Sequence, residues 1–481
     1  MLLRFDTFMF FIMFVNLNKM RLLNKKIFLL FMVSFSFSAR GDLLSTELLA
    51  TRNVINTQTY IETELAQIVT DMFSIEAAQY GYWMYKITYE TIDLNGDPHV
   101  ASGTVSYPRV DWPEIANQAF PIISYQHGTV VEKSSVTSEQ GEWILSAILT
   151  GSGYVYVEPD YLGLGESEGM HPYQLKEPYG TAVVDLLRAV RYHAMFESNE
   201  YMVNDQLFLA GYSEGGYATM AVHQIIERDY IDEFNISVSF PMAGAYSMSG
   251  IMVDLMIAQQ PYGEPFYFPY VLFAYLDAYP SIGSVEEFLL PEYVFLQDWF
   301  DGYHSSSEIN DAMPSIPITI MKPEEILNFE NNDDHLLRIA LRENDLWDWT
   351  PHAPMYIFHG EGDELVPSSN AVLAYDQFLE NGSEEVYLEL IPESFGGHQD
   401  IAPWALFGAY QISQEIKMIN EIGDVNQDAY LNILDIVNIA NIILSDIATE
   451  TYDYSIWASD LNFDDLVNIQ DIINLINIIL Y

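Results

Sequence analysis

One stretch limits the fold more than any other. Residues 206–212, QLFLAGY, form a nearly continuous apolar run, and residues 214–228, EGGYATMAVHQIIER, read as a helix. Only Ser213 stands between them, so the chain must pass from strand to helix within about one residue. Gly211 and Gly215 lie two positions either side of that serine and permit the close backbone approach that so sharp a turn requires. A turn of this kind lifts the hydroxyl off a sheet edge. It also starts a helix whose free N–H groups favour an anion.

The same alternation runs from residue 80 to residue 421. Strand-like runs occur at YWMYKITYETI, VASGTVSY, FPIISYQ, YVYVEPDY, QLFLAGY, ISVSFPM, MYIFHG and VYLELIP. Helical segments such as GTAVVDLLRAVRYHAM and NAVLAYDQFLE fall between them. The later runs are short and almost wholly apolar, as strands buried on both faces must be. The pattern predicts an α/β fold, a mostly parallel sheet flanked by helices. Residues 40–79 read as a helical lead-in. About 100 residues separate ISVSFPM from MYIFHG, too many for an ordinary connection. That insertion, about 245–350, is expected to form a helical cap. Its segment PYGEPFYFPYVLFAYLDAYP holds eight aromatic residues, which face either an apolar substrate or the cap's own core.

A serine hydroxyl is a weak nucleophile until a base takes its proton. In a strand–turn–helix arrangement the chain order is serine, acid, histidine. After MYIFHG comes EGDELVP, which puts Asp363 in a loop at a strand end, with Glu361 and Glu364 close by. Beyond Asp363 one histidine remains in the whole chain, His398, in SFGGHQD. Ser213, Asp363 and His398 are therefore the candidate catalytic residues. Backbone N–H groups of Thr129, in the loop after FPIISYQ, and of Glu214 are the candidates for an oxyanion hole. His127 and His359 are expected to brace their turns.

SYQHGT, PDYLGLGESEGMHPY, GYSEGGYATM, HGEGDELVP and GGH, in this order, resemble the α/β-hydrolase superfamily. More narrowly they resemble its secreted lipase and esterase branch, over about residues 80–421. The resemblance implies a serine ester hydrolase that works through an acyl-enzyme and needs no cofactor for catalysis. Aspartate-nucleophile members are disfavoured by Ser213. Glu214, directly after the serine, departs from the pattern in a way that disfavours anionic substrates. A serine peptidase, a carbohydrate acyl-esterase and a non-catalytic adaptor on the same fold are the alternative readings.

The last sixty residues hold an internal repeat. DVNQDAYLNILDIVNIANIIL begins at Asp424, and DLNFDDLVNIQDIINLINIIL begins at Asp460 without a gap in register. Each copy reads D-x-N-x-D-x-x-x-N-x-x-D, oxygen donors at alternate positions and again at the twelfth, as calcium coordination asks. The candidate ligands are Asp424, Asn426, Asp428, the Tyr430 carbonyl and Asp435, then Asp460, Asn462, Asp464, the Leu466 carbonyl and Asp471. Asn432 and Asn468 hold the ninth positions. No entering helix is evident, and Ala429 and Asp465 replace the usual glycine. Duplicated loops, each followed by a helix, resemble a type I dockerin over residues 423–481. That resemblance implies a small all-α domain with two structural calcium ions and a cohesin-bearing scaffold protein as partner. The positions that select the cohesin match Ile433-Leu434 and Ile469-Gln470, which are not the hydroxyl pairs common there.

Charge and leader complete the reading. From residue 41 onward 12 basic residues face 68 acidic ones, a net of −56. A surface so acidic repels nucleic acid and anionic membranes. The absence of cysteine removes thiol nucleophiles, disulfides and Cys-ligated zinc. Residues 1–39 contain MRLLNKK from Met20, a second candidate start, then IFLLFMVSFSF and SFSA, the order of a secretory signal peptide. Neither FMFFIMFV nor IFLLFMVSFSF reaches the roughly 18 residues of a membrane span. The mature protein is expected outside the cell, with a cell-surface place through the scaffold.

Overall fold

Adjacent residues of the central strands serve opposite cores. In β5 (Val155–Pro159) Val155 and Val157 pack into one apolar cluster and Tyr156 into another, and all five residues are buried. In β6 (Met202–Tyr212) Leu207 and Leu209 face the first cluster, and Phe208 and Ala210 the second. A strand buried on both faces must be apolar throughout, which is why these segments lack polar alternation. The structure, a computed structural model, describes residues 39–68, 75–109, 117–198, 200–445 and 454–480. Apart from Ala39, the expected leader lies outside the described residues.

Among the described residues the sheet has ten strands. Along its path the order is β1-β2-β3-β5-β4-β6-β7-β8-β9, comprising β1 (Leu43–Arg52), β2 (Gly81–Ile92), β3 (Pro98–Arg109), β4 (Gln118–Gln126), β5, β6, β7 (Ile236–Met242), β8 (Met355–Gly360) and β9 (Val386–Ile391). The first three strands are antiparallel, and β5, β4, β6, β7, β8 and β9 run parallel. Helices Lys176–Tyr192, Glu214–Asp229 and Ser369–Glu380 cover one face, through residues such as Val183, Leu187, Ala218 and Phe378. Helices Val54–Ile68, Ile144–Gly151 and His398–Ile416 cover the other, through Ile61, Ile148, Ile401 and Ala405.

The lead-in differs from expectation. Leu43–Arg52 is an edge strand paired with β2, and only the segment after it, Val54–Ile68, is helical. Between β7 and β8 the insertion is helical, with Ile251–Ile257, Tyr267–Ala278, Val285–Phe288, Ser306–Ala312, Pro323–Asn331 and Leu336–Glu343 as its α-helices.

A two-residue strand, β10 (Asn420–Glu421), pairs antiparallel with the start of β4. The C-terminal segment follows, with helices Ile433–Ser445, Tyr454–Ser459 and Ile469–Leu480. Contrary to the sequence reading, the second loop does have a short helix before it. Val425, Ile439, Tyr454, Ala458 and Leu475 share a small core with Ala119 of β4 and Met202 of β6. Both of those residues lie at the N-terminal ends of their strands, opposite the end that carries Ser213. Asp205 and Gln427 exchange two hydrogen bonds across the same junction, of 2.9 and 2.5 Å. Among the described residues no helix is long and apolar enough to cross a membrane.

Candidate active site

Ser213 follows the last residue of β6 and precedes the first residue of the helix Glu214–Asp229. Its φ of 64° and ψ of −122° put a non-glycine residue in a sparsely populated region, a conformation that costs roughly 1–3 kcal/mol and is held only by its surroundings. The Ser213 N–H donates to the Met242 carbonyl of β7 (2.9 Å), and its own carbonyl accepts from Gly216 (2.9 Å). The glycines beside it are sterically required. A Cβ on Gly211 would lie 2.3 Å from the Gly215 carbonyl oxygen, and one on Gly216 would lie 2.1 Å from that of Met242.

A continuous hydrogen-bond chain joins three loops at this strand end. His398 Nε2 lies 2.8 Å from Ser213 Oγ, and His398 Nδ1 lies 2.6 Å from Asp363 Oδ2. A carboxylate only accepts, so Nδ1 carries the proton and Nε2 presents its lone pair to the serine hydroxyl. Asp363 Oδ1 accepts from the backbone of Leu365 (3.0 Å) and Val366 (2.7 Å). Buried His359 also places Nε2 3.3 Å from Oδ2. Burial alone would raise the Asp363 carboxyl, but the hydrogen bonds from His359 and His398 outweigh it and hold it down at about 2. The neighbouring acid has a different task, since Glu364 Oε2 accepts the His398 backbone N–H at 3.0 Å. The Tyr212 hydroxyl donates to the His398 carbonyl (2.5 Å), tying the residue before the serine to the histidine.

Gly128 and Thr129 follow β4 beside this turn. A Cβ on Gly128 would lie 3.9 Å from the Ser213 Cβ. The hydroxyls of Thr129 and Tyr173 are 2.9 Å apart. No bond to the backbone N–H of Thr129 or Glu214 is found among the described residues. His127 braces the turn, with Nδ1 2.7 Å from the Gly128 carbonyl and its ring 4.2 Å from that of Tyr161.

Ser213 and Glu214 form part of the wall of a narrow cavity of about 80 Å³, otherwise lined chiefly by apolar residues. Met248, Met252 and Met256 contribute from one side, and Tyr262, Tyr267 and Phe268 of the aromatic segment from another. The aromatic segment thus divides. Tyr270, Phe273 and Tyr275 are buried in packing instead, and the first and last of these fasten the cap by donating to the carbonyls of Val130 and Gln174.

Residues without a sequence signal complete the surroundings. Glu214 is buried, and its Oε1 meets His171 Nε2 (2.8 Å) and the Tyr179 hydroxyl (2.7 Å). A second serine–histidine–acid contact occurs where His223 lies 2.7 Å from Ser239 Oγ and 2.9 Å from Glu227 Oε1. Ser239 is fully buried inside β7, so that array has no route to a substrate.

The two C-terminal loops have matching geometry. In the first, Asp435 accepts from the backbone of Val425 and Asn432, and Asp424 accepts from Asp428 and Ala429. In the second, Asp471 accepts from Leu461 and Asn468, and Asp460 from Asp464 and Asp465. Gln427 and Ala429, and likewise Phe463 and Asp465, have positive φ, which curls each loop inward. Asp435 and Asp471 are fully buried, yet residues 418–481 include no lysine, arginine or histidine. Buried carboxylates without a cation are costly, and a donor set of carboxylate, amide and carbonyl oxygens suits calcium. Among the described residues no three Asp, Glu, His or Cys side chains converge as a metal cluster, so Asn426, Asn462 and the carbonyls of Tyr430 and Leu466 would have to complete each set.

No protein-family model matches the chain, and no curated protein matches it in sequence. Solved structures do. A protein of Legionella pneumophila assigned as a hydrolase is 26% identical, with a TM-score of 0.68 over 78% of this chain and 98% of its own. The rice cell wall degrading esterase LipA of Xanthomonas oryzae is 25% identical, with a TM-score of 0.66 over 78% of this chain and 96% of its own. Lipase A of Candida antarctica in its closed state, 15% identical with a TM-score of 0.56 over 79% of this chain and 83% of its own, shares the fold. The mixed sheet with its flanking helices is thus that of the α/β-hydrolases, and the solved proteins similar to this chain are hydrolases, esterases and lipases.

Proposed function

We propose that this protein is a secreted serine carboxylic-ester hydrolase. Ser213 Oγ attacks the ester carbonyl while His398 Nε2 takes its proton. Asp363 holds the ring in the required tautomer and stabilises the imidazolium that forms. The N–H groups of Thr129 and Glu214 receive the oxyanion. His398 then protonates the leaving alcohol, and water, activated by the same histidine, releases the acyl group. The observation that carries this reading is the hydrogen-bond chain from Ser213 through His398 to Asp363, which opens on an apolar cavity. The test is p-nitrophenyl butyrate turnover together with labelling by a fluorophosphonate. Ser213→Ala should lose both while keeping its unfolding midpoint, and substantial residual turnover would remove Ser213 from the role.

Carbohydrate acyl esters are the second reading, favoured by the likeness to an esterase that degrades rice cell walls. For the C-terminal segment we propose two calcium ions, one held by Asp424, Asn426, Asp428, the Tyr430 carbonyl and Asp435, the other by the equivalent residues Asp460, Asn462, Asp464, Leu466 and Asp471. Each ion would neutralise a loop that has no basic side chain of its own. A cohesin-bearing scaffold is the proposed partner. Ile433, Leu434, Ile469 and Gln470 are all exposed at the starts of the two long helices, which supports that role.

A further inference from the structure

The steps of ester hydrolysis leave one buried histidine at the catalytic rim without a task. His359 lies one residue before the end of β8, is fully buried and is not among the residues that line the cavity. Its Nε2 lies 2.8 Å from the Val366 carbonyl, which can only accept, so Nε2 carries a proton. Its Nδ1 is buried and has no hydrogen-bond partner. A second proton there would leave a donor unmet in the interior, so the ring is neutral with its one N–H at Nε2.

That N–H has a second neighbour. Asp363 Oδ2 lies 3.3 Å from His359 Nε2, and it is the same oxygen that takes the His398 Nδ1–H at 2.6 Å. Oδ1 is occupied separately, by the backbone N–H groups of Leu365 and Val366. The demand on Oδ2 rises during turnover. Once His398 has taken the serine proton, its Nδ1–H belongs to an imidazolium, and that proton must stay on nitrogen rather than pass to Asp363. A carboxylate oxygen so close, in a buried loop, competes for it. A second N–H dipole against Oδ2 weakens that competition and restricts rotation of the carboxylate. Glu364 and Tyr212 hold the backbone of His398 and do not touch Asp363. Among the described residues, His359 and His398 are the side chains within reach of the Asp363 carboxylate.

Building on the ester-hydrolase reading, we propose that His359 is a positioning residue for Asp363. Its Nε2–H, aimed by the Val366 carbonyl, holds Oδ2 as the fixed acceptor of the His398 Nδ1–H while the proton moves between Ser213 and His398. His359 touches neither substrate nor serine and acts through Asp363 alone.

The test is kcat and KM for p-nitrophenyl butyrate, measured in the full chain. His359→Leu removes the N–H and fills much of the space. Its kcat should fall by about tenfold, the equivalent of one hydrogen bond to a charged group, with KM within about twofold of the parent. In His359→Gln the side-chain amide N–H reaches about as far as the ring Nε2, so most of the lost kcat should return. The double variant separates positioning from bracing. Added to Asp363→Asn, His359→Leu should change kcat by less than about twofold, because the group it acts through is already disabled. A residue that only braced the turn would let Val366, which lines the cavity, shift when removed. KM would then rise, glutamine would give no rescue, and the loss would persist beside Asp363→Asn. Should His359→Leu fail to fold, His359→Asn, whose amide stops short of both acceptors, carries the same expectation. A parent-like kcat without the N–H, or an undiminished loss in the Asp363→Asn background, would overturn the inference. A parent that turns over no ester and takes no fluorophosphonate at Ser213 would instead overturn the ester-hydrolase reading beneath it.

Discussion

Gly215→Ala sets two physical expectations of opposite sign against each other. In an ordinary helix the change stabilises, because glycine is about 1 kcal/mol worse than alanine there. Here a Cβ on Gly215 would lie 1.9 Å from the Gln126 carbonyl oxygen, 2.7 Å from its carbon and 2.8 Å from the His127 carbonyl oxygen. Carbon and oxygen that are not bonded to each other keep roughly 3.3 Å apart even in the closest favourable contacts. The shortfall exceeds an ångström, and all three obstacles are backbone, so no rotamer change relieves it. The end of β4 must move away from the serine turn, taking Gly128 and Thr129 with it. Overpacking that shifts backbone costs about 1–3 kcal/mol and occasionally more, and this contact belongs at the severe end, about 4 kcal/mol. A displacement of about 1 Å between reacting groups costs about 100-fold in rate. Urea unfolding should therefore show a lower midpoint at unchanged m, and kcat/KM for p-nitrophenyl butyrate should fall by about 100-fold or more. Gly128→Ala is the control, because its Cβ would meet nothing nearer than the Tyr212 oxygen at 3.4 Å. Its stability should stay within about 1 kcal/mol of the parent. A Gly215→Ala protein as stable and as fast as the parent would refute the steric argument.

Four further outcomes are expected. Asp363→Asn removes the charge that fixes the His398 tautomer, so kcat should drop by about 10³–10⁴-fold while the folded circular dichroism spectrum persists; a loss below about tenfold would refute it. The Asp363 carboxyl is held down at about 2, below its unfolded value, so its contribution to stability is present above the ordinary carboxylate range. The unfolding free-energy gap between parent and Asp363→Asn should shrink as pH falls from about 4 toward about 2. Glu158 has the opposite sign. Burial pushes it up from 4.5 to about 7, against hydrogen bonds from Tyr156 and Thr137. The stability it allows is complete below about 4.5 and lost as pH rises through about 7, by roughly 3 kcal/mol. Glu158→Gln should flatten that decline in urea titrations at pH 5 and pH 8, and an unchanged slope would refute the assignment. Chelation by EDTA should expose residues 423–480 to protease and reduce helicity, with ester turnover retained at the opposite strand ends; a tail indifferent to chelator would refute the calcium ligands.

What could be read from the sequence, and what could not, follows from the range of each signal. The strands from β4 to β8 announce themselves locally, because burial on both faces demands largely apolar runs such as FPIISYQ. β1 does not. LLSTELLATR lies at the sheet edge with most of its residues exposed or half-buried, so nothing selects an alternating pattern, and its Leu, Glu and Ala read as well for a helix. Ser213, Asp363 and His398 could be listed from their places after apolar runs, since position along the chain correlates with the sheet's catalytic end. The partners of Glu214 could not, because His171 and Tyr179 reach it across 43 and 35 residues with no periodicity to connect them. Residue type alone would even mislead. Ser239, His223 and Glu227 have the same chemistry at similar hydrogen-bond distances, but Ser239 is buried within β7 and the other two lie on the helix packed over it, not at the sheet's catalytic rim. A serine hydroxyl becomes a nucleophile through access to a substrate as much as through a base. Access is set here by a left-handed serine pressed between β4 and β7, a constraint visible in the sequence only as Gly211, Gly215 and Gly216.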